Sequence, residues 1–305
     1  MDSSNLLLQL QSGPLASRAA DIAALVKPTI ILKTERTQRV AFKSSKLGGN
    51  PDLPDSLKWP KSKNGIPLVF IAQLNLDEIA CSDQGTLLPQ TGVLYLFLDL
   101  DDGDLTDPES NCPNRLLYQD DLSLTRFPLE RPEFQQAPKP PTLLNQFFSL
   151  LNLTDSPAPL YQPYEQCAVS FHESISLPFW DSFPVDNLKL DKTELKTFRS
   201  LYDSLIEHHY KIGGAGRLLG YADPVQNNDM DVICYLESRG EKIHYPIPLD
   251  HGTEVGASEW TLLLQMENID ECGMYWGDGL LYLWSRKTDL GNRDFSQSRL
   301  IGQFT

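Results

Sequence analysis

Gly92-Val93-Leu94-Tyr95-Leu96-Phe97-Leu98 is an unbroken apolar run entered through a glycine. Apolar side chains at successive positions point to both faces of a strand, so this run predicts a central strand buried on both sides. A second run of the same kind, Gly279-Leu280-Leu281-Tyr282-Leu283-Trp284, lies near the C-terminal end. Upstream of each is a shorter apolar run with a glutamine in the same place. Phe70-Ile71-Ala72-Gln73-Leu74 resembles Leu262-Leu263-Leu264-Gln265-Met266. Further upstream, Lys46-Leu47-Gly48-Gly49 resembles Lys211-Ile212-Gly213-Gly214. Three resemblances in one order predict an internal duplication. Gln73 and Gln265 are then expected at equivalent strand positions, with their amides bonded to nearby backbone, because a buried unpaired amide costs about 1–3 kcal/mol.

Strand runs and helical runs do not alternate regularly, so the fold class is α+β rather than doubly wound α/β. The expected architecture is two similar β-rich half-units about a pseudo-two-fold axis, with helices packed outside. Residues 1–27 read as an N-terminal helical segment and residues 28–127 as the first half-unit. Residues 128–163 form a proline-rich crossing segment, with a short helix over 142–153 where Leu143, Phe147, Leu150 and Leu151 share one face. Residues 164–305 form the second half-unit, and the whole is one globular unit. The strongest helix signal begins at Asp191, which with Glu194 makes a capping box. Leu195, Phe198, Tyr202, Leu205 and His209 follow at helical spacing, and Gly213-Gly214 stops the helix.

The 305 residues carry 26 basic and 41 acidic side chains, a net charge of −15. Such a surface repels phosphate backbones and anionic lipid, which argues against nucleic acid and membrane as partners. It favours a basic protein partner or a small polar ligand. The five cysteines are scattered, with no paired spacing of a zinc site or disulfide framework. A cytoplasmic location follows from that pattern. No basic stretch precedes Leu6–Leu10, and no apolar run approaches the roughly 20 residues of a membrane span.

No motif of known chemistry emerges. Gly214, Gly216 and Gly220 lack the spacing of a dinucleotide loop and follow a helix instead of a strand, which makes them cap and turn residues. Asp99, Asp101, Asp102 and Asp104 fail the calcium-loop spacing and read as a solvated acidic loop. His208 and His209 sit at a helix C-terminus, a favourable place for cationic imidazole. No Gly-x-Ser-x-Gly elbow occurs. Neither a catalytic residue, a metal site nor a cofactor is therefore assigned. The richest aromatic and polar stretches are Leu219–Gln226 and Met274–Gly279. Tyr221, Asp223, Gln226, Trp276 and Asp278 are the candidate binding residues, expected to line one recess. The alternative is that they pack a core and fix turns.

Ser45-Lys46-Leu47-Gly48-Gly49, followed by Pro51, Pro54 and Trp59-Pro60, is similar to a motif of the YwqG-like family. The stretches Phe70–Ile79 and Leu88–Phe97 resemble that family's strands. So do Leu219–Gln226, Trp260–Gln265 and Met274–Gly279 in the second half. The resemblance covers residues 25–305. It supplies no catalytic residues, because the family is one of uncharacterised proteins. Some members occur near contact-dependent toxin systems, which implies an immunity or accessory role. The expected function is a non-enzymatic binding or interaction protein. The alternative is a hydrolase or transferase working in a cleft between the half-units.

Overall fold

The computed structural model describes residues 6, 8, 10–11, 13–37, 39–62, 65, 67–79, 87–99, 114–120, 123–127, 164–245, 247 and 250–305. The expected helix over 142–153, the rest of the proline-rich segment and Asp101–Asp104 lie outside the described residues.

The chain is mixed α and β, and nearly all its strands join one antiparallel sheet. In chain order the strands are β1 (Lys27–Arg36), β2 (Lys46–Leu47), β3 (Asp52–Pro54), β4 (Val69–Asn75), β5 (Val93–Leu98) and β6 (Asn114–Gln119). They continue with β7 (Leu124–Arg126), β8 (Cys167–Ser176), β9 (Gly214–Leu218), β10 (Trp260–Met266), β11 (Gly279–Arg286) and β12 (Arg299–Phe304). The helices are α1 (Ala19–Leu25), α2 (Leu76–Ile79), α3 (Phe183–Asp186), α4 (Lys192–Lys211), α5 (Met230–Ser238), α6 (His251–Ala257) and α7 (Lys287–Gly291).

Ten strands form the main sheet in the order β12-β11-β10-β9-β1-β8-β2-β4-β5-β6, while β3 and β7 form a separate pair. The long strands β1 and β8 pair along their whole length, from Lys27 opposite Ser176 to Arg36 opposite Cys167. Four strands extend from each side of this central pair. The sheet curls so that the inner sides of the two flanks pack together. Leu74, Leu94, Leu96 and Leu116 meet Leu218, Leu263, Leu264 and Leu283 around a void of only ≈ 10 Å³. Tyr118 of β6 lies 5.8 Å from the Phe295 ring, just before β12, which brings the two ends of the sheet near one another.

The two-sided apolar strands are explained by this curl. The inner face of each flank meets the other flank, and each outer face has its own cover. Outside the first flank, Trp59, Phe70, Tyr95, Phe97 and Phe127 cluster with the β3–β7 pair. Outside the second, Leu262, Tyr282 and Trp284 cluster with Met230 and Ile233 of α5. A third cluster joins Ile22 of α1 to Ile175 and to Phe198, Tyr202 and Leu205 of α4.

Helix α4 has the expected capping box. The Asp191 carboxylate accepts from the Thr193 and Glu194 amides, and Glu194 returns a bond to the Asp191 amide. Phe198, Tyr202, Leu205 and His209 are buried, whereas Leu195 is exposed on the first turn. Gly213 closes the helix at φ +82°, in the left-handed region that glycine enters without strain. Gly216 answers a different demand. A Cβ there would stand 2.1 Å from the Gln265 carbonyl, so only glycine lets β9 lie against β10.

Two of the three repeated segments take the same place in their flanks. Phe70–Leu74 and Leu262–Met266 are β4 and β10, each with a register break just before the glutamine, at Phe70/Ala72 and Leu262/Leu264. Gly92–Phe97 and Gly279–Trp284 enter β5 and β11. The third pair differs: Lys46-Leu47 is strand β2, whereas Lys211-Ile212 ends α4. The residue opposite Gln265, where Lys46 stands opposite Gln73, is Arg217.

Candidate functional site

Gln73 lies between Lys46 on β2 and Tyr95 on β5, and Gln265 lies between Arg217 on β9 and Tyr282 on β11. Each glutamine holds an aspartate that follows the cationic residue by six positions. The Gln73 amide oxygen accepts the Asp52 N–H at 2.7 Å, and its NH₂ donates to the Ser44 carbonyl at 3.0 Å and to Asp52 Oδ2 at 3.2 Å. The Gln265 oxygen accepts the Asp223 N–H at 2.9 Å, and its NH₂ reaches Asp223 Oδ2 at 3.4 Å. Tyr95 donates to the Asp52 carbonyl at 2.5 Å and Tyr282 to the Asp223 carbonyl at 2.6 Å. Lys46 Nζ lies 3.0 Å from Asp52 Oδ2, and Arg217 Nη2 pairs with Asp223 Oδ2.

Burial makes these networks obligatory. The Lys46 and Asp52 side chains are fully buried, and a buried charge without a partner is very unfavourable. Burial lowers Lys46 to about 8, against the opposing pull of Asp52, so the ammonium is still mainly protonated at neutral pH. Burial works to raise Asp52, but the bond from Arg126 and the Lys46 charge outweigh it and hold the carboxyl below its usual value. Burial raises the Tyr95 and Tyr282 phenols, which therefore act as neutral donors.

The networks differ at the second aspartate oxygen. Asp223 Oδ1 accepts from the buried Tyr202 hydroxyl of α4 at 2.9 Å. Asp52 Oδ1 instead accepts from Arg126 Nε at 2.7 Å, and the Arg126 side chain is 39% exposed. Asp52 thus serves two cations, leaving one positive charge in excess. Arg217 has Asp223 and also feels the charge of Glu267. The exposed part of Arg126 opens on a cleft of ≈ 560 Å³ lined with Arg39, Val40, Gly49, Asn50 and Gln166. A second lobe of ≈ 380 Å³ shares Arg39 and Val40 and runs past Ser44, Ser45 and Glu78 to Ala168–Phe171 of β8.

The residues singled out in the sequence are distributed as follows. Asp223 belongs to the second network. Tyr221 has Lys27 Nζ 3.9 Å above its ring, and its N–H donates to Ser176 Oγ at 3.0 Å. Gln226 donates to the Phe304 carbonyl at 2.5 Å, and the Asp278 carbonyl accepts the Thr305 N–H at 2.8 Å. The end of β12 therefore brings Gln226 and Asp278 together. Trp276 packs in the inner core with Leu281 and Leu283, while Tyr282, the donor to Asp223, faces the outer cluster. The indole N–H of Trp276 bonds the Glu267 carbonyl at 2.8 Å. His209 is buried against Ser174 Oγ at 2.9 Å, and burial depresses it to about 3.

Arg39 and Arg126 gave no signal as site residues, because neither stands in a motif and they are far apart in the chain. Lys46 was readable as part of the family-like motif and Gln73 as a repeated amide inside an apolar run, whereas Asp52 and Tyr95 were not singled out.

The whole architecture from β2 to β12 coincides with a known sequence pattern. The family described as domain of unknown function (DUF1963) matches residues 45–303. The chain belongs to the DUF1963 family. This agrees with the YwqG-like resemblance, since the YwqG-like proteins are that family. No protein of curated function matches the chain. The DUF1963 match takes in both networks and leaves β1, α1 and Arg39 before its start. No helix among the described residues is long and apolar enough to cross a membrane.

Glu267, beside the second network, sets a pH dependence. Burial raises its carboxyl to about 7, against the Arg217 charge and a bond from Tyr210. The fold therefore favours the protonated acid. The corresponding stability is fully present below the unfolded value of about 4.5 and is lost as pH rises through about 7. Glu267→Gln should remove that part of the slope and melt higher than the parent at pH 8 but not at pH 4.5. Parallel melting curves at pH 4.5, 6 and 8 check this, and an unchanged difference across that range would contradict it.

Proposed function

We propose that this DUF1963 protein is a binding protein that captures an oxyanion, a carboxylate or phosphate group, in the cleft of Arg39, Asn50, Arg126 and Gln166. The observation that carries this reading is the pairing of one buried carboxylate, Asp52, with two cations, one of which is half in solvent. In a chain of net charge −15, that local excess of positive charge attracts anions where the rest of the surface repels them. Asp52 and the Val40 and Ala41 carbonyls hold Nε and Nη2 of Arg126, which leaves its Nη1 group to offer to an oxyanion. Asn50 and Gln166 supply neutral hydrogen-bonding groups beside it.

Binding is favoured over catalysis because the charged groups of both networks are held by one another. None stands free beside a nucleophile. A binding role suits the immunity or accessory setting that the family resemblance implies. Tyr221, Asp223, Gln226, Trp276 and Asp278 enter this reading as the frame of the second, closed network, and the ligand site lies in the first.

We also infer that the flanks β2-β4-β5-β6 and β9-β10-β11-β12 derive from one ancestral unit, related by a pseudo-two-fold axis through β1 and β8. The matched register breaks, the six-residue interval from cation to aspartate and the repeated glutamine and tyrosine bonds support it. The first unit then keeps an open site and the second has closed it with Tyr202.

Titration calorimetry with glutarate and with inorganic phosphate tests the binding reading. The parent protein should bind one or both saturably, and Arg39→Ala should weaken binding at least tenfold with unchanged melting, because Arg39 is exposed. Absence of saturable binding to the parent, or equal affinity in Arg39→Ala, would overturn it.

A further inference from the structure

Strand β8 is paired along its whole length with β1 on one side, but on the other side it meets β2 only at Cys167 and Ala168. The last bond on that side runs from the Val169 N–H to the Ser45 carbonyl at 3.2 Å. Backbone groups in a strand alternate in direction, so those of Phe171 and Glu173 point the same way as those of Val169. Among the described residues, Ser170–Glu173 have no strand neighbour there. No described strand thus fills the edge between the end of β2 and the end of β8 that α4 covers through His209 and Ser174. The lobe shared by Arg39 and Val40 opens onto it.

We propose that this edge takes the last residues of a partner protein, added as an antiparallel strand whose terminal carboxylate is held by Arg39 and the Arg126 cleft. The orientation follows from the sheet, in which every pairing is antiparallel. A segment laid against Glu173 and running toward Ser170 arrives at Ser44 and Ser45. There β2 already occupies the continuation of its path, so the chain must end. Its end falls in the lobe lined by Arg39, where Glu78 already accepts the Ser45 N–H at 3.0 Å, so the carboxylate turns away from Glu78 toward Arg39 and the neighbouring Arg126 cleft. Strand addition supplies main-chain bonds, and the carboxylate supplies the anchor. The free length, Ser170–Glu173, corresponds to about 13 Å of extended chain. This proposal rests on the oxyanion reading above and names the molecule that carries the anion.

The probe is an N-acetylated hexapeptide of alternating threonine and valine with a free C-terminal carboxylate, followed by fluorescence anisotropy. The parent protein should bind it saturably. Amidation of its C-terminus should weaken binding at least tenfold. So should methylation of the two backbone nitrogens that face β8, which removes donors and leaves the carboxylate. Glu173→Pro should weaken it likewise, because it removes an N–H pointing away from β1 and leaves the β1 ladder intact. Should Glu173→Pro fail to fold, the methylated peptide on the parent protein makes the same test. Glutarate binding with no peptide binding, or with no effect of methylation, overturns strand addition and leaves the oxyanion reading standing. Loss of both glutarate and peptide binding overturns both, and equal binding of acid and amide overturns the carboxylate anchor.

Discussion

Asp52→Ala lowers the unfolding free energy by about 3–5 kcal/mol, the cost of stranding a buried ion that has lost its partner. Lys46 is fully buried and its ammonium bonds Asp52. Without the carboxylate it must either remain charged in an apolar setting or release its proton on folding. The same substitution takes one acceptor from Gln73 and leaves Arg126 with the Val40 and Ala41 carbonyls in place of a charged partner. Urea denaturation at pH 7 measures the loss. The part of the deficit that comes from Lys46 should shrink as pH rises toward about 8, where Lys46 sheds its proton in the parent fold, and stay level above it. A change below about 1 kcal/mol would mean that Lys46 reaches solvent or another acceptor.

Arg217→Met and Lys46→Met remove corresponding cations with unequal results. Asp223 then retains only neutral donors, Tyr202 and Gln265, so Arg217→Met should cost about 3–5 kcal/mol. Asp52 keeps Arg126 at 2.7 Å, still a charged pair, so Lys46→Met should cost about 1–2 kcal/mol. The same denaturation experiment ranks the two. Equal losses would contradict the difference in charge between the networks on which the proposed anion site rests.

The strands that carry both networks were legible because burial on two faces leaves an unmistakable apolar run. Val93–Leu98 and Trp260–Met266 are buried at every position. Gln73 and Gln265 were legible for the converse reason, as polar groups where water is absent. Strand β8 was not, because its burial is interrupted at Ser170, His172 and Glu173, beside the edge that no described strand fills. The equivalence of Lys46 and Arg217 was hidden by local sequence. Lys46-Leu47-Gly48-Gly49 reads like Lys211-Ile212-Gly213-Gly214, yet the second belongs to a helix end, whose glycine serves a cap. Sequence likeness there reflects two separate uses of glycine. The cleft could not be read at all, since Arg39 precedes β2 and Arg126 lies on β7, and only the fold brings both to one cleft.

The proposed anion site requires one network to be open and the other closed. Side-chain nitrogen resonances of arginine, followed by NMR while inorganic phosphate and then glutarate are added, report on both at once. The expected result is a saturable shift of Arg126 and Arg39 with one shared affinity, while Arg217, buried between Asp223 and the tyrosines, does not move. No saturable shift at Arg126, or an equal shift at Arg217, would contradict it.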